Sequence, residues 1–82
     1  MTLDDYITRR LAQVTDDRAY SQRKLDEAVK LYNELRGKDH LADYQQKAHE
    51  DVLWHKSRIR DYDFELDCLY TARDAKADGH AV

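Results

Sequence analysis

The residues with potential for chemistry in this chain of 82 residues are four histidines, one cysteine and scattered carboxylates. Asp51 and His55 stand four residues apart, a spacing that puts two metal ligands on one face of a helix. A bound metal needs further ligands, and none stands at a matching turn, so no metal site is predicted. We expect His55 to pack beside Ser21 between two helices instead.

Cys68 gives little support for nucleophilic catalysis. It is the single cysteine, has no activating neighbour and cannot form an intrachain disulfide, which favours a reducing cytoplasm as the location. The chain contains two glycines and no proline, too few to build a phosphate-binding loop or a nucleophile elbow. We therefore predict that the protein is not an enzyme and uses no cofactor.

Basic residues and tyrosines are the chemistry that a nucleic acid or a nucleotide would require. Lys56, Arg58 and Arg60 form a short basic run, but acidic residues follow at once and the net charge is −3. Mixed signs along helices are typical of a solvated surface. Nucleic-acid or nucleotide binding is therefore the alternative function, through residues that would converge between subunits: Tyr20, Arg23, Arg58 and Tyr62.

The positions of glycine and the absence of proline indicate where the predicted helices begin and end. Gly37 is the one glycine before the C-terminal segment, and no proline interrupts the chain. The sequence predicts an all-α fold with a single domain over residues 1–76 and a flexible tail over 77–82. Within the domain we expect an antiparallel two-helix hairpin, with a helix over 2–36, a turn over 37–40 and a helix over 41–76.

Capping chemistry marks the ends of both predicted helices. Thr2 can accept a backbone N–H at the start of the first helix, and Asp5 completes a variant of the capping box. Gly37 suits a left-handed cap at the C-terminal end of that helix. Asp39 is the expected N-cap of the second helix. Residues 16–21 are largely polar, and whether they break the first helix stays open.

Apolar residues recur in steps of four and three along both helices, as they do in coiled coils. We call the face that they form the seam. The first helix contributes Ile7, Leu11, Val14, Leu25, Ala28, Tyr32 and Leu35. The second helix contributes Ala48, Val52, His55, Ile59, Tyr62, Leu66 and Leu69. Folding the chain at Gly37 opposes these two sets, which predicts coiled-coil-like packing side by side.

Residues 61–68 alternate strictly between polar and apolar side chains, a pattern typical of a strand. No other segment alternates over that length, so a strand here would have no partner within the chain. We therefore predict that this segment is helical and that its alternating residues serve two faces.

A second apolar stripe on the second helix lies roughly opposite the seam. This outer stripe consists of Leu53, Trp54, Phe64, Cys68, Ala72 and Ala75. A hairpin has one seam, so the outer stripe requires another cover. The cover is a second copy in a four-helix bundle, a different protein, or a bend of the chain onto itself, and we expect self-association first.

These features predict a small regulator, inhibitor or assembly factor that acts by binding. The expected contact residues lie in the outer stripe or beside it: Leu53, Trp54, Phe64, Cys68, Lys56, Arg58, Asp61 and Glu65. No apolar run approaches the roughly 18 residues that a membrane span needs, so no membrane partner is expected. The expected partners are the protein itself, in a homodimer or larger oligomer, and an unidentified protein.

Overall fold

Two long α-helices pack against each other in the computed structural model, which describes residues 2–79. Helix α1 runs over Leu3–Leu35 and helix α2 over Ala42–Gly79, and the two lie antiparallel. Within the described residues there is no strand, and residues 61–68 are helical. The predicted all-α hairpin is confirmed, whereas its assembly into a four-helix bundle stays a prediction.

The ends of α1 have the predicted caps. The backbone N–H of Asp5 donates to Thr2 Oγ1 at 3.2 Å, and the backbone N–H of Thr2 donates to Asp5 Oδ2 at 3.4 Å. This reciprocal pair satisfies donors that an uncapped helix would leave unpaired. At the other end Gly37 has φ +82°, the left-handed conformation that favours glycine and lets the chain reverse.

The start of α2 differs from the prediction. Asp39–Leu41 forms one turn of 3-10 helix, in which the backbone N–H of Leu41 donates to the Lys38 carbonyl at 2.8 Å. Asp39 is therefore inside a helical turn, and its assignment as the N-cap of α2 is wrong. Helix α2 begins at Ala42 and extends to Gly79, and residues 80–82 of the predicted flexible tail lie outside the described residues.

Residues 16–21 do not break α1, which is continuous through them. Arg18 in this segment donates two hydrogen bonds to the carboxylate of Asp63 on α2, and Ser21 is small enough to be buried between the helices. The polar residues therefore find partners or space in the straight hairpin, and no bend is needed to solvate them.

The seam forms as predicted. Val14 is fully buried at 0% exposure, and it lies in one cluster with Ile7, Leu11 and Leu69. Tyr62 and Leu66 pack against this cluster from α2. All the remaining predicted seam residues are buried or half-buried: Leu25, Ala28, Tyr32, Leu35, Ala48, Val52, His55 and Ile59.

The hairpin is a thin rod of 64 × 21 × 13 Å, about one helix thick in its smallest dimension. Its radius of gyration is 18.4 Å, against about 12 Å for a compact domain of this length. Neither helix, as far as residues 2–79 extend, is apolar enough along its length to cross a membrane. A rod of this shape has one buried face per helix, so every other apolar residue lies on the surface.

Candidate interaction surface

The outer stripe of α2 is exposed, as the sequence predicts. Phe64 is 72% exposed, Trp54 58% and Leu53 54%, and Cys68 carries an exposed free thiol. Ala72 and Ala75 continue the exposed stripe toward the C-terminal end. Residues 2–79 do not cover this stripe, because α1 is continuous and no third α-helix occurs among them.

Helix geometry explains why Phe64 points away from α1. It stands two residues from both Tyr62 and Leu66, which is about 160° around the helix from each. Both of those residues pack against the core cluster, so Phe64 is on the opposite side. A side chain there can gain burial only from outside this hairpin.

A shallow groove surrounds Phe64 on the outer side of α2. Its lining combines two apolar side chains with charged ones: Arg60, Asp61, Phe64, Glu65 and Cys68. Four of these five residues belong to the predicted contact set, and the structure brings them together. Arg60 was missed because the sequence alone gave it no partner or role beyond a basic run. The groove suits an apolar side chain of a partner, with charges at its rim.

Arg58 joins two aromatic rings along one side of α2. Its guanidinium carbon lies 5.6 Å from the ring centroid of Trp54 and 5.0 Å from that of Tyr62. It also donates a hydrogen bond to the Tyr62 hydroxyl at 2.6 Å. Spacing of four residues makes both contacts possible within one helix. Stacking of this kind orients Trp54, whose ring also meets the ring of His55 edge-on at 4.9 Å.

Glu65 is held within the hairpin. Arg10 donates two hydrogen bonds to its carboxylate, one of them 2.9 Å from Nη2 to Oε1, and a third to Gln13 at 3.1 Å. The hydrogen bond from Arg10 lowers the pKa of Glu65, and the same bond raises the pKa of Arg10. The predicted contact residue Glu65 therefore ties α1 to α2, and its role toward a partner stays a prediction.

A second ion pair crosses between the helices on the other side of the seam. Arg18 binds Asp63 in the same two-bonded manner, and this hydrogen bond raises the pKa of Arg18. Neither partner belongs to the predicted contact set. The pair lies 45 residues apart in the chain, so only the relative rotation of the two helices could identify it.

Asp51 stands four residues before His55 and binds a lysine of its own helix. Lys47 donates to the Asp51 carboxylate at 3.0 Å, and no three potential ligands among the described residues come together. His55 packs in the seam as predicted, and its Nδ1 atom is buried without a hydrogen-bond partner. A groove beside it is lined by residues of both helices: Lys24, Glu27, Ala28, Leu31, Asp51 and His55.

The residues of the alternative function form two pairs, each within one helix. The Arg23 guanidinium carbon lies 5.9 Å from the ring centroid of Tyr20 on α1, and Arg58 pairs with Tyr62 on α2. Lys24 also approaches the Tyr20 ring, at 5.6 Å. Lys56 and Asp61 of the predicted contact set are exposed beside the outer stripe.

No family model, no curated protein and no solved structure matches this chain.

Proposed function

We propose that the protein is a non-enzymatic interaction module that works as a homodimer. In this dimer the outer stripes of two α2 helices pack together, so the two α2 helices form the centre of a four-helix assembly and each α1 lies on the far side of its own α2. The observation that carries the proposal is the exposure of Leu53, Trp54 and Phe64 along one helix face. Large apolar side chains that share one exposed helix face are typical of an interaction surface.

The total surface of the hairpin supports the same proposal. It exposes 6367 Å², whereas a compact monomer of 9.7 kDa would expose about 5,100 Å². The excess is roughly 1,200 Å² per chain. Standard interfaces bury about 600–1,000 Å² on each partner, so one interface of ordinary size would remove most of this excess.

A dimer of this form would act as a small regulator, inhibitor or assembly factor by binding another protein. Lys56 and Arg58 lie beside the outer stripe and would remain at the rim of the interface, and Asp61 adds a negative charge from the groove around Phe64. Charged rims contribute more to the choice of partner than to affinity. The mixture of signs there suits a protein partner of mixed charge.

Light scattering tests the proposal. At high micromolar concentration the wild-type protein should have about twice the mass of one 9.7 kDa chain. Phe64→Asp should have the mass of one chain and keep its helical circular dichroism, because Phe64 contributes nothing to the seam. The matched control is Leu31→Asp, which places the same charge at an exposed apolar position of α1 and should stay dimeric. A monomeric wild-type protein would contradict self-association.

The stacked cations support the second candidate function, binding of a nucleic acid or nucleotide. Arg58 lies against two rings and Tyr20 has two cations near its face, the groups that bind phosphates and stack on bases. Fluorescence anisotropy with a labelled single-stranded oligonucleotide should then show affinity that falls steeply between about 50 and about 200 mM salt. Arg58→Ala should weaken this binding. Absence of binding at the lower salt concentration would leave the dimer alone as the proposed function.

A further inference from the structure

We infer that the two copies pair through antiparallel α2 helices whose two-fold axis passes beside Phe64. The inference rests on the proposed self-association and specifies its geometry. Phe64 lies midway along the outer stripe, eleven residues from both Leu53 and Ala75. An antiparallel pair centred there places the two stripes opposite each other over their whole length, as a self-complementary interface requires.

The sizes of the outer-stripe residues favour this direction. Large side chains, Leu53 and Trp54, occupy the N-terminal part, and the small Ala72 and Ala75 occupy the C-terminal part. In the antiparallel pair the large residues of each copy lie over the alanines of the other. A parallel pair in register would put Trp54 against Trp54 and alanine against alanine, which crowds one end and leaves a gap at the other.

The charges along one edge of the stripe favour the same direction. Lys56 and Arg60 stand in the N-terminal part of this edge, and Asp67 and Asp74 stand in the C-terminal part, all exposed. With the axis at Phe64, Arg60 comes within one residue of the level of Asp67 of the second copy. Lys56 lies within one turn of Asp74 of that copy, a carboxylate that also has Arg73 of its own chain 4.0 Å away. In a parallel pair in register, each charged residue would lie at the same height as the identical residue of the second chain. Opposite charges across an interface favour the register that brings them together.

The two acidic residues next to Phe64 in the chain do not oppose this pairing. Asp63 and Glu65 flank Phe64 directly, but Arg18 and Arg10 of the same hairpin already pair with them. Their negative charge is therefore balanced before a second copy approaches.

The antiparallel arrangement predicts which pairs of cysteines on the outer stripe can form a disulfide between the two copies. Residues at position 64 meet at the axis, whereas two Leu53 positions are separated by about 33 Å along the helices, and two Cys68 thiols by about 12 Å. Disulfides require α-carbons within about 7 Å. A cysteine at 53 of one copy can reach a cysteine at 75 of the other.

Disulfide trapping tests the arrangement. In a Cys68→Ser background, Phe64→Cys should form a covalent dimer under mild copper–phenanthroline oxidation, seen on a non-reducing gel. Leu53→Cys alone and the wild-type chain with Cys68 should stay monomeric on the gel. An equimolar mixture of the Leu53→Cys and Ala75→Cys chains should give a mixed covalent dimer. This mixture keeps Phe64 in place, so a loss of affinity in Phe64→Cys cannot mask the geometry.

The outcomes separate the geometry from the proposed function. Cross-linking of Leu53→Cys with itself would show a parallel pair and overturn the inference, although self-association would stand. A dimer by light scattering with no cross-link at 64 or between 53 and 75 would show that another face makes the contact. A monomer by light scattering would contradict the proposed function itself.

Discussion

The two faces of α2 contain similar residues and have opposite environments. On the seam, Ile59 and Leu69 are buried against α1, while Leu53 and Phe64 on the outer stripe face water. Both faces carry large apolar side chains, so their composition does not explain the difference in burial. The difference arises because α1 is a single helix and can cover only one face of α2. The seam therefore determines folding of the chain, whereas the outer stripe is available for association.

The arginines beside the two faces of α2 also differ in whether they bind across to the other helix or within their own helix. Next to the seam, Arg10 and Arg18 reach across to carboxylates of α2 and connect the helices. Beside the outer stripe, Arg58 contacts the rings of Trp54 and Tyr62 on its own helix, so these contacts do not join α1 to α2. The contact with Arg58 therefore orients Trp54 before any partner binds, which lowers the side-chain entropy lost on association.

The largest expected effect is on the seam. Val14→Asp places an unpaired carboxylate at a fully buried position and should lower the free energy of unfolding by about 3–5 kcal/mol. Thermal unfolding followed by circular dichroism measures this loss. Val29→Asp makes the same change at an exposed position of α1 and should cost below about 1 kcal/mol. Equal losses in the two variants would break the distinction between a folding face and a free surface.

The second-largest effect is expected at the outer stripe, on dimerisation. Trp54 is the single tryptophan of the chain, so its fluorescence reports on burial of the outer stripe. Its emission should shift to shorter wavelength and resist iodide quenching as protein concentration rises, since dimerisation covers the ring. Phe64→Asp should raise the dimer dissociation constant by about 30-fold or more, the loss typical of a central interface residue. Its Trp54 should therefore stay quenchable at concentrations where the wild type is protected. Emission independent of concentration in the wild type would contradict burial of the outer stripe.

A smaller effect is expected from the charges at the edge of the stripe. Arg60→Asp and Asp67→Arg should each weaken dimerisation a few-fold, because each sets like charges level across the interface. The double variant restores opposite charges and should recover most of the wild-type affinity, as measured by analytical ultracentrifugation. Additive losses in the double variant would count against the antiparallel register.

The smallest effect concerns the ion pair between Glu65 and Arg10. Since the hydrogen bond from Arg10 lowers the pKa of Glu65, the carboxylate stabilises the fold fully above its usual pKa of about 4.3. This contribution disappears as the pH falls through the lowered pKa. Glu65→Gln should lower the melting temperature by a few degrees at neutral pH, and the difference from the wild type should vanish in acid. A difference that persists unchanged at low pH would show that packing, and not charge, is the cause.

The residues of the outer stripe can be predicted from the sequence, but the contacts of the charged residues beside it cannot. Periodicity places Leu53, Trp54 and Phe64 on one face because rotation per residue is a local property of a helix. The engagement of Glu65 with Arg10 depends on contact between residues 55 positions apart in the chain. No local pattern contains that information, so the sequence predicts Glu65 as a contact residue for a partner without its bond to Arg10.

Local signals in the sequence are enough to specify the hairpin, its seam and its exposed stripe. Breakers, caps and steps of four and three are signals that act within a few residues, so Gly37 and the apolar spacing are sufficient to predict them. Tertiary structure alone decided that α1 passes unbroken through residues 16–21, that a 3-10 turn precedes α2, and which carboxylates Arg10 and Arg18 bind. The physical reason is that these outcomes depend on the rotation and stagger of one helix against the other, which the whole seam sets together.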